Sequence, residues 1–184
     1  GLALDAAKVV LKDELAQIGV TAQVNARPDS NGNGPAYVAI YDLGDLERLV
    51  RETGAQIGFA TDPDVDRLAI VSDEGKPIGE DYTLAFACRV VLRHRKGIVV
   101  TNLSTSRVVD DAAADHGQKV IRAPVGEVNV AMRMRNEHAV IGGEGNGGVI
   151  LPELHLGRDA PLGVALMLQL MLEDPRPVSK IVSD

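Results

Sequence analysis

Short apolar runs of strand length alternate with helical patterns almost throughout this chain, and that rhythm restricts the fold more than any other feature. Alternation of this kind marks layered α/β architecture, in which helices cover the faces of a sheet. Ala6–Ile18 reads as a helix stopped by Gly19, Thr21–Val24 as a strand, and the Asn-, Gly- and Pro-rich stretch Asn25–Pro35 as an exposed loop. Asp45 is placed to cap a helix with Leu46, Leu49 and Val50 on one face and Gly54 at its end. Strands over Gln56–Ala60 and Leu68–Val71 flank an acidic loop, and the second enters a turn at Asp73-Glu74-Gly75. A helix over Asp81–Lys96 follows, its basic end (Arg93, Arg95, Lys96) suited to the helix dipole. Then come a strand over Gly97–Thr101, a helix capped by Ser104 or Thr105 and ending at Gly117, and a strand over Lys119–Ala123. A helix over Val128–Asn136, a strand over Ala139–Gly142 and a long helix capped by Asp159, with Pro161 in its first turn, complete the pattern.

The 184 residues suffice for one medium domain or two small ones, each with its own core. Aromatics make up only 3% of the chain, so the cores must be built from Val, Leu, Ile and Ala. The net charge of -7 counts against a nucleic-acid partner, which needs a basic face, but not against a phosphorylated metabolite neutralised by a metal or a local Arg. The single cysteine, Cys88, forms no intrachain disulfide and sits in an apolar helical stretch, where it reads as a small buried hydrophobe. Both facts suit the cytoplasm. The most apolar run, Leu162–Leu172, is too short to span a bilayer and is broken by Gln169, and no signal-peptide pattern opens the chain. A start at Gly1 rather than Met reads as part of a longer or processed protein.

The most informative segment is Thr61-Asp62-Pro63-Asp64-Val65-Asp66-Arg67. Three carboxylates at alternate positions after a buried strand converge if the loop curls, and such a cluster repels itself without a cation. Mg²⁺ suits it, as a hard ion that takes oxygen ligands and leaves positions for water and a substrate phosphate. Arg67 adds a fixed positive charge for phosphate. An EF-hand is excluded, because Arg67 stands where the loop needs Gly and strands stand where it needs helices. A phosphatase working through an aspartyl phosphate also begins Asp-x-Asp after a strand, but lacks the third Asp and the Arg. The second informative segment is Gly142-Gly143-Glu144-Gly145-Asn146-Gly147-Gly148. It is no P-loop, having a carboxylate in the middle and no following Lys. Glu144 can accept from neighbouring hydroxyls and Asn146 can donate and accept, which suits a sugar, while a plain hairpin explains the glycines equally well.

Gly58-Phe59-Ala60-Thr61-Asp62-Pro63-Asp64-Val65-Asp66-Arg67-Leu68 resembles the metal loop of the α-D-phosphohexomutases, the family of phosphoglucomutase, phosphomannomutase and phosphoglucosamine mutase. Pro63 departs from it, since glycine is frequent there. The glycine-rich segment resembles that family's sugar-specificity loop. Asn102-Leu103-Ser104-Thr105-Ser106-Arg107, Pro124-Val125-Gly126-Glu127 and Gly157-Arg158-Asp159 also fit, so the resemblance runs from about Leu11 to the end. It implies two α/β/α domains with mixed sheets, the family's second (1–80) and third (81–184), meeting near Gly79–Asp81, the first of them lacking its opening strand unless Leu2–Leu4 stand in for it. An exposed sheet edge there would favour self-association. The resemblance further implies Mg²⁺ on Asp62, Asp64 and Asp66, with Arg67, Glu144 and Asn146 binding a hexose or hexosamine phosphate.

The family's phosphoserine loop and its Arg-rich phosphate clamp belong to its first and fourth domains, and no serine here is followed by His. No catalytic nucleophile is therefore expected in this chain, nor turnover by it alone. Ser104 and Glu127 stand where mannose- and glucose-type members often carry Lys and His, and the glycine loop looks more like the glucosamine type. His155 and Arg158 read equally well as ordinary loop residues. A non-catalytic, metal-dependent sugar-phosphate-binding module is the second reading, and a phosphatase with Asp62 as nucleophile the third.

Overall fold

The computed structural model describes residues 43–183. The expectations for Leu2–Leu4, Ala6–Ile18, Thr21–Val24 and Asn25–Pro35 lie outside them. The described residues group as one compact unit.

Helix α1 (Gly44–Thr53) starts one residue before Asp45, so Asp45 lies in the first turn rather than at the cap, where it bonds Arg48 at 3.0 Å. The helix ends at Gly54, as expected, and that glycine takes the left-handed conformation. Strands β1 (Ile57–Thr61) and β2 (Leu68–Ser72) pair antiparallel from Ile57 opposite Ser72 to Thr61 opposite Leu68. All of β2 is buried because both its faces are covered. Ala69 and Val71 pack with Leu43 and Val50 on the α1 side. Leu68 and Ile70 pack on the other side with Phe86, Val90, Met167, Leu170 and Ile181. The turn after β2 forms as read, with the Gly75 N–H on the Ser72 carbonyl at 2.8 Å.

Helix α2 (Glu80–His94) is buried on several sides. Phe86 and Val90 join the β2 cluster, whereas Leu84, Ala85, Ala87, Cys88 and Leu92 join one built on the second sheet. Cys88 is fully buried, which pushes its thiol pKa up and leaves it inert. The second sheet contains β3 (Val99–Asn102), β4 (Val120–Ala123), β5 (Ile141–Glu144) and β6 (Gly148–Ile150), in the order β4-β3-β5-β6. Strand β3 is parallel to β4 and β5, and β6 is antiparallel to β5, so the sheet is mixed. Helices α2, α3 (Val108–Ala114) and α5 (Ala160–Glu173) contribute to the core on one face. Helix α4 (Glu127–Glu137) covers the other through Val130 and Met134. The result is the expected α/β/α layering. A short helix, α6 (Val178–Val182), closes the β2 cluster.

One expected cap is displaced. Helix α3 begins at Val108, not after Ser104 or Thr105, because the N–H groups of both those residues donate to the Asn102 side chain at 3.1 and 2.9 Å. An Asn at a strand end offers its neighbours that local turn before a helix can start. Asp159 caps α5 as read, accepting the Leu162 N–H at 2.8 Å. No helix among the described residues is long and apolar enough to cross a membrane.

Candidate functional site

The acidic loop joins β1 to β2, and its curl depends on Val65, which takes φ 61. A β-branched residue in the left-handed region costs on the order of 1–3 kcal/mol and persists only when its surroundings over-determine it. Here they do: the Val65 N–H donates to the Asp62 carbonyl at 3.1 Å, its carbonyl accepts the Ala160 N–H from the start of α5 at 3.2 Å, and its side chain packs on the β2 cluster. One oxygen from each of Asp62, Asp64 and Asp66 consequently lies within 4.8 Å of the others.

The three carboxylates differ. Asp62 is buried, and its Oδ1 accepts the N–H groups of Asp66 and Arg67, each at 3.1 Å. Its Oδ2 accepts from Arg67 Nε at 2.6 Å. Burial pushes its pKa up, but the Arg67 hydrogen bonds outweigh burial and hold it at about 2. Asp66 is pushed above the ordinary range by burial and by Asp62 and Asp64, with Arg158 opposing. Its Oδ1 is buried without a hydrogen-bond partner. Asp64 is exposed. A buried carboxylate oxygen without a hydrogen-bond partner, beside two more carboxylates and with Arg67 Nε 3.6 Å away, fits a hard divalent cation.

The glycine loop is the tip of the β5–β6 hairpin, with Glu144 opposite Gly148. Gly147 has φ 92, and a Cβ there would come within 2.4 Å of the Leu68 carbonyl oxygen. Only glycine lets the hairpin lie this close to the base of the acidic loop, where the Leu68 N–H donates to the Gly147 carbonyl at 3.0 Å. Glu144 is 3% exposed. Its Oε1 accepts from Asn102 Nδ2 at 2.7 Å and from the Gly126 N–H at 3.1 Å, and its Oε2 from Arg158 Nη1 at 2.7 Å. Asn146 is half-buried, and its Oδ1 accepts the Gly148 N–H at 3.3 Å.

Asn102 ends β3 and Glu144 ends β5, neighbouring parallel strands whose chain continuations leave toward opposite edges of the sheet. The crevice beyond the carboxyl ends at such a reversal is where open α/β sheets bind ligands.

Arg158, read from sequence as loop or site alike, closes the constellation. Its Nη2 bonds Asp66 Oδ2, and its Nη1 bonds Glu144. Its backbone N–H donates to Glu127 at 2.8 Å. Asp62, Asp64, Asp66, Arg67 and Glu144 are thus gathered in one region, with Asn146 at the hairpin tip. Sequence reasoning missed Asn102, which aims Glu144, and the joining role of Arg158. Nothing local could have revealed either, because the partners 66, 127 and 144 come from three separate segments.

Comparison with known proteins adds the following. Residues 79–184 match the family described as phosphoglucomutase/phosphomannomutase, alpha/beta/alpha domain III. A "Probable phosphoglucosamine mutase" of Methanopyrus kandleri is 40% identical over 88% of this chain and 36% of its own length. A "Phosphoglucomutase/phosphomannomutase" of Thermococcus kodakarensis is 35% identical over 88% of this chain and 36% of its own length. The crystal structure of a phosphoglucomutase/phosphomannomutase family protein from Burkholderia thailandensis superposes with a TM-score of 0.70 at 25% identity, over 82% of this chain and 33% of that one. The chain therefore spans little more than a third of the length of the curated relatives it matches.

Proposed function

This chain belongs to the phosphoglucomutase/phosphomannomutase family, and from that membership we propose that it supplies the metal centre and the sugar-reading loop of a magnesium-dependent phosphohexomutase, an isomerase of the cytoplasm. The observation that carries the reading is the convergence of Asp62, Asp64 and Asp66 beside a hairpin that presents Glu144 and Asn146 at the sheet's switch point. Asp62, Asp64 and Asp66, each with a carboxylate oxygen within 4.8 Å of the others, would hold a hard cation that prefers oxygen ligands. Bound there, the cation would neutralise charge on a phosphoryl group in transfer.

The remaining roles fall to protein groups. Arg67, anchored by Asp62, adds a fixed positive charge for the substrate phosphate. A carboxylate has about four lone-pair positions, and Glu144 has three occupied, which leaves one for a sugar hydroxyl. Asn146 can both donate and accept at the hairpin tip. We assign the phosphoryl-carrying serine and the phosphate clamp to family domains outside this sequence, so the chain alone should not turn over. The boundary between the two domains it does carry is set at 80/81, supported by the family match starting at residue 79. A hexosamine phosphate is the favoured substrate class, supported by the glycine loop and by the name of the Methanopyrus kandleri relative. The phosphatase reading is disfavoured, since both oxygens of Asp62 are held by donors and its low pKa makes it a weak nucleophile.

Calorimetry with Mg²⁺ on the chain and on Asp62→Asn/Asp64→Asn, with and without glucosamine 1-phosphate, tests the reading. Binding that the double variant loses, and that the sugar phosphate tightens, is expected. Binding that survives the double substitution overturns the assignment of the ion to this loop.

A further inference from the structure

We propose, building on the metal and sugar roles above, that Arg158 is a positioning residue that makes the two loops read each other, so that the charge state of Glu144 sets the affinity of the aspartate triad for a divalent cation. The guanidinium is the only group among the described residues seen to bond both loops through side chains: Nη2 goes to Asp66 Oδ2 and Nη1 to Glu144 Oε2 at 2.7 Å. Its engagement of Oδ2 holds the Asp66 carboxylate beside Asp62 and Asp64 and leaves Oδ1 without a hydrogen bond, with Arg67 Nε 3.6 Å away. Partners of this kind, one bond behind a metal ligand, tune affinity by about 10–100-fold.

The arm that holds the guanidinium is itself fixed. The Arg158 N–H is on Glu127 at 2.8 Å, the next residue caps α5, and the Asp159 N–H donates to the Val149 carbonyl of the hairpin at 3.0 Å. The aliphatic stem lies on the hairpin, where a Cβ at Gly148 would come within 2.2 Å of Arg158 Cδ. With the base fixed, only the guanidinium can respond, and it has somewhere to go. Nε is buried without a hydrogen-bond partner and sits 3.6 Å from Glu127 Oε2.

Glu144 holds half of the guanidinium's charge away from the triad. Removing the Glu144 charge leaves more of that positive charge on Asp66, where it opposes a cation, and a cation on the triad is felt at Glu144 in turn by linkage.

The test is a double-mutant cycle on Mg²⁺ affinity, measured calorimetrically on the whole chain, with Glu144→Gln, Arg158→Gln and the pair. Glu144→Gln should weaken Mg²⁺ binding about fivefold or more when Arg158 is present, and should change it less than about twofold in the Arg158→Gln background. Arg158→Lys keeps a charge but loses the planar fork that reaches Asp66 and Glu144 through separate nitrogens. It should also uncouple the pair, and it serves if Arg158→Gln does not fold. An equal effect of Glu144→Gln in all three backgrounds means that Glu144 acts directly, and overturns the proposal. No effect in any background overturns it as well, while Mg²⁺ binding abolished by Asp62→Asn/Asp64→Asn would leave the metal assignment standing. A wild-type chain that binds no Mg²⁺ overturns both.

Discussion

Asp62→Asn and Asp64→Asn remove the same charge from the same loop, yet they should differ sharply in stability when measured with EDTA present. Asp62 is buried and accepts three hydrogen bonds, one of them from Arg67 Nε at 2.6 Å. An Asn oxygen can keep the two backbone bonds, but its NH₂ then faces the Arg67 donor. A hydrogen bond to a charged group contributes about 1.5–3 kcal/mol, and relief of repulsion at Asp66 returns part of it, leaving a net loss of about 2 kcal/mol. The proton equilibrium gives the same scale, since a fall from 3.8 to about 2 at about 1.4 kcal/mol per unit is about 2–3 kcal/mol. For a chain of this length that lowers Tm by about 4–8 °C. Asp64 is exposed, and neutralising it only reduces repulsion, so its Tm should stay within about 2 °C of wild type or rise. The sign with pH follows from a lowered folded-state pKa. The Asp62 contribution is complete above 3.8 and is lost as pH falls from 3.8 toward 2, so the gap between wild type and Asp62→Asn should close over that window. Thermal unfolding followed by circular dichroism from pH 7 to pH 2 measures both effects. Equal losses for the two variants, or a gap that persists at pH 2, would refute the reasoning.

A second acid-sensitive point is Glu173, lowered from 4.5 to about 2 by hydrogen bonds from Gln169, His94 and Arg93. Glu173→Gln should cost less than about 1 kcal/mol at pH 7, with the difference vanishing as pH falls from 4.5 to 2. A difference that grows toward low pH in urea titrations would contradict that sign. Gly147→Ala combines a φ of 92 with a Cβ 2.4 Å from the Leu68 carbonyl oxygen, so it should lose about 1–3 kcal/mol. A Tm unchanged from wild type would show that the hairpin can lift off the acidic loop freely.

Much of the fold was legible because its signals are local. The Asp73-Glu74-Gly75 turn, the helix end at Gly54 and the Asp159 cap each depend on residues within a few positions of one another. The acidic loop was legible for the same reason, its ligands being consecutive alternate residues. The misplaced start of α3 shows the limit: Ser104 and Thr105 are good caps by type, but Asn102 engaged their N–H groups first. The site's wiring was the least legible part. Arg158 reaches Asp66 from 92 positions away, and its backbone reaches Glu127 from 31, separations at which residue type carries no information about contact.

Helix α2 sits between two cores, with Phe86 and Val90 facing β2 and Leu84, Cys88 and Leu92 facing the second sheet. The matched family region begins one residue before this helix, so a boundary inherited from homology runs along the surface of a shared core rather than through a linker. Modularity is set accordingly. A swap of the second sheet between relatives that kept only residues from 79 onward would carry a helix with one apolar face cut for the donor's β2 and set against the recipient's. The transplantable part is the helix together with both of its sheets, and the two loops travel with it.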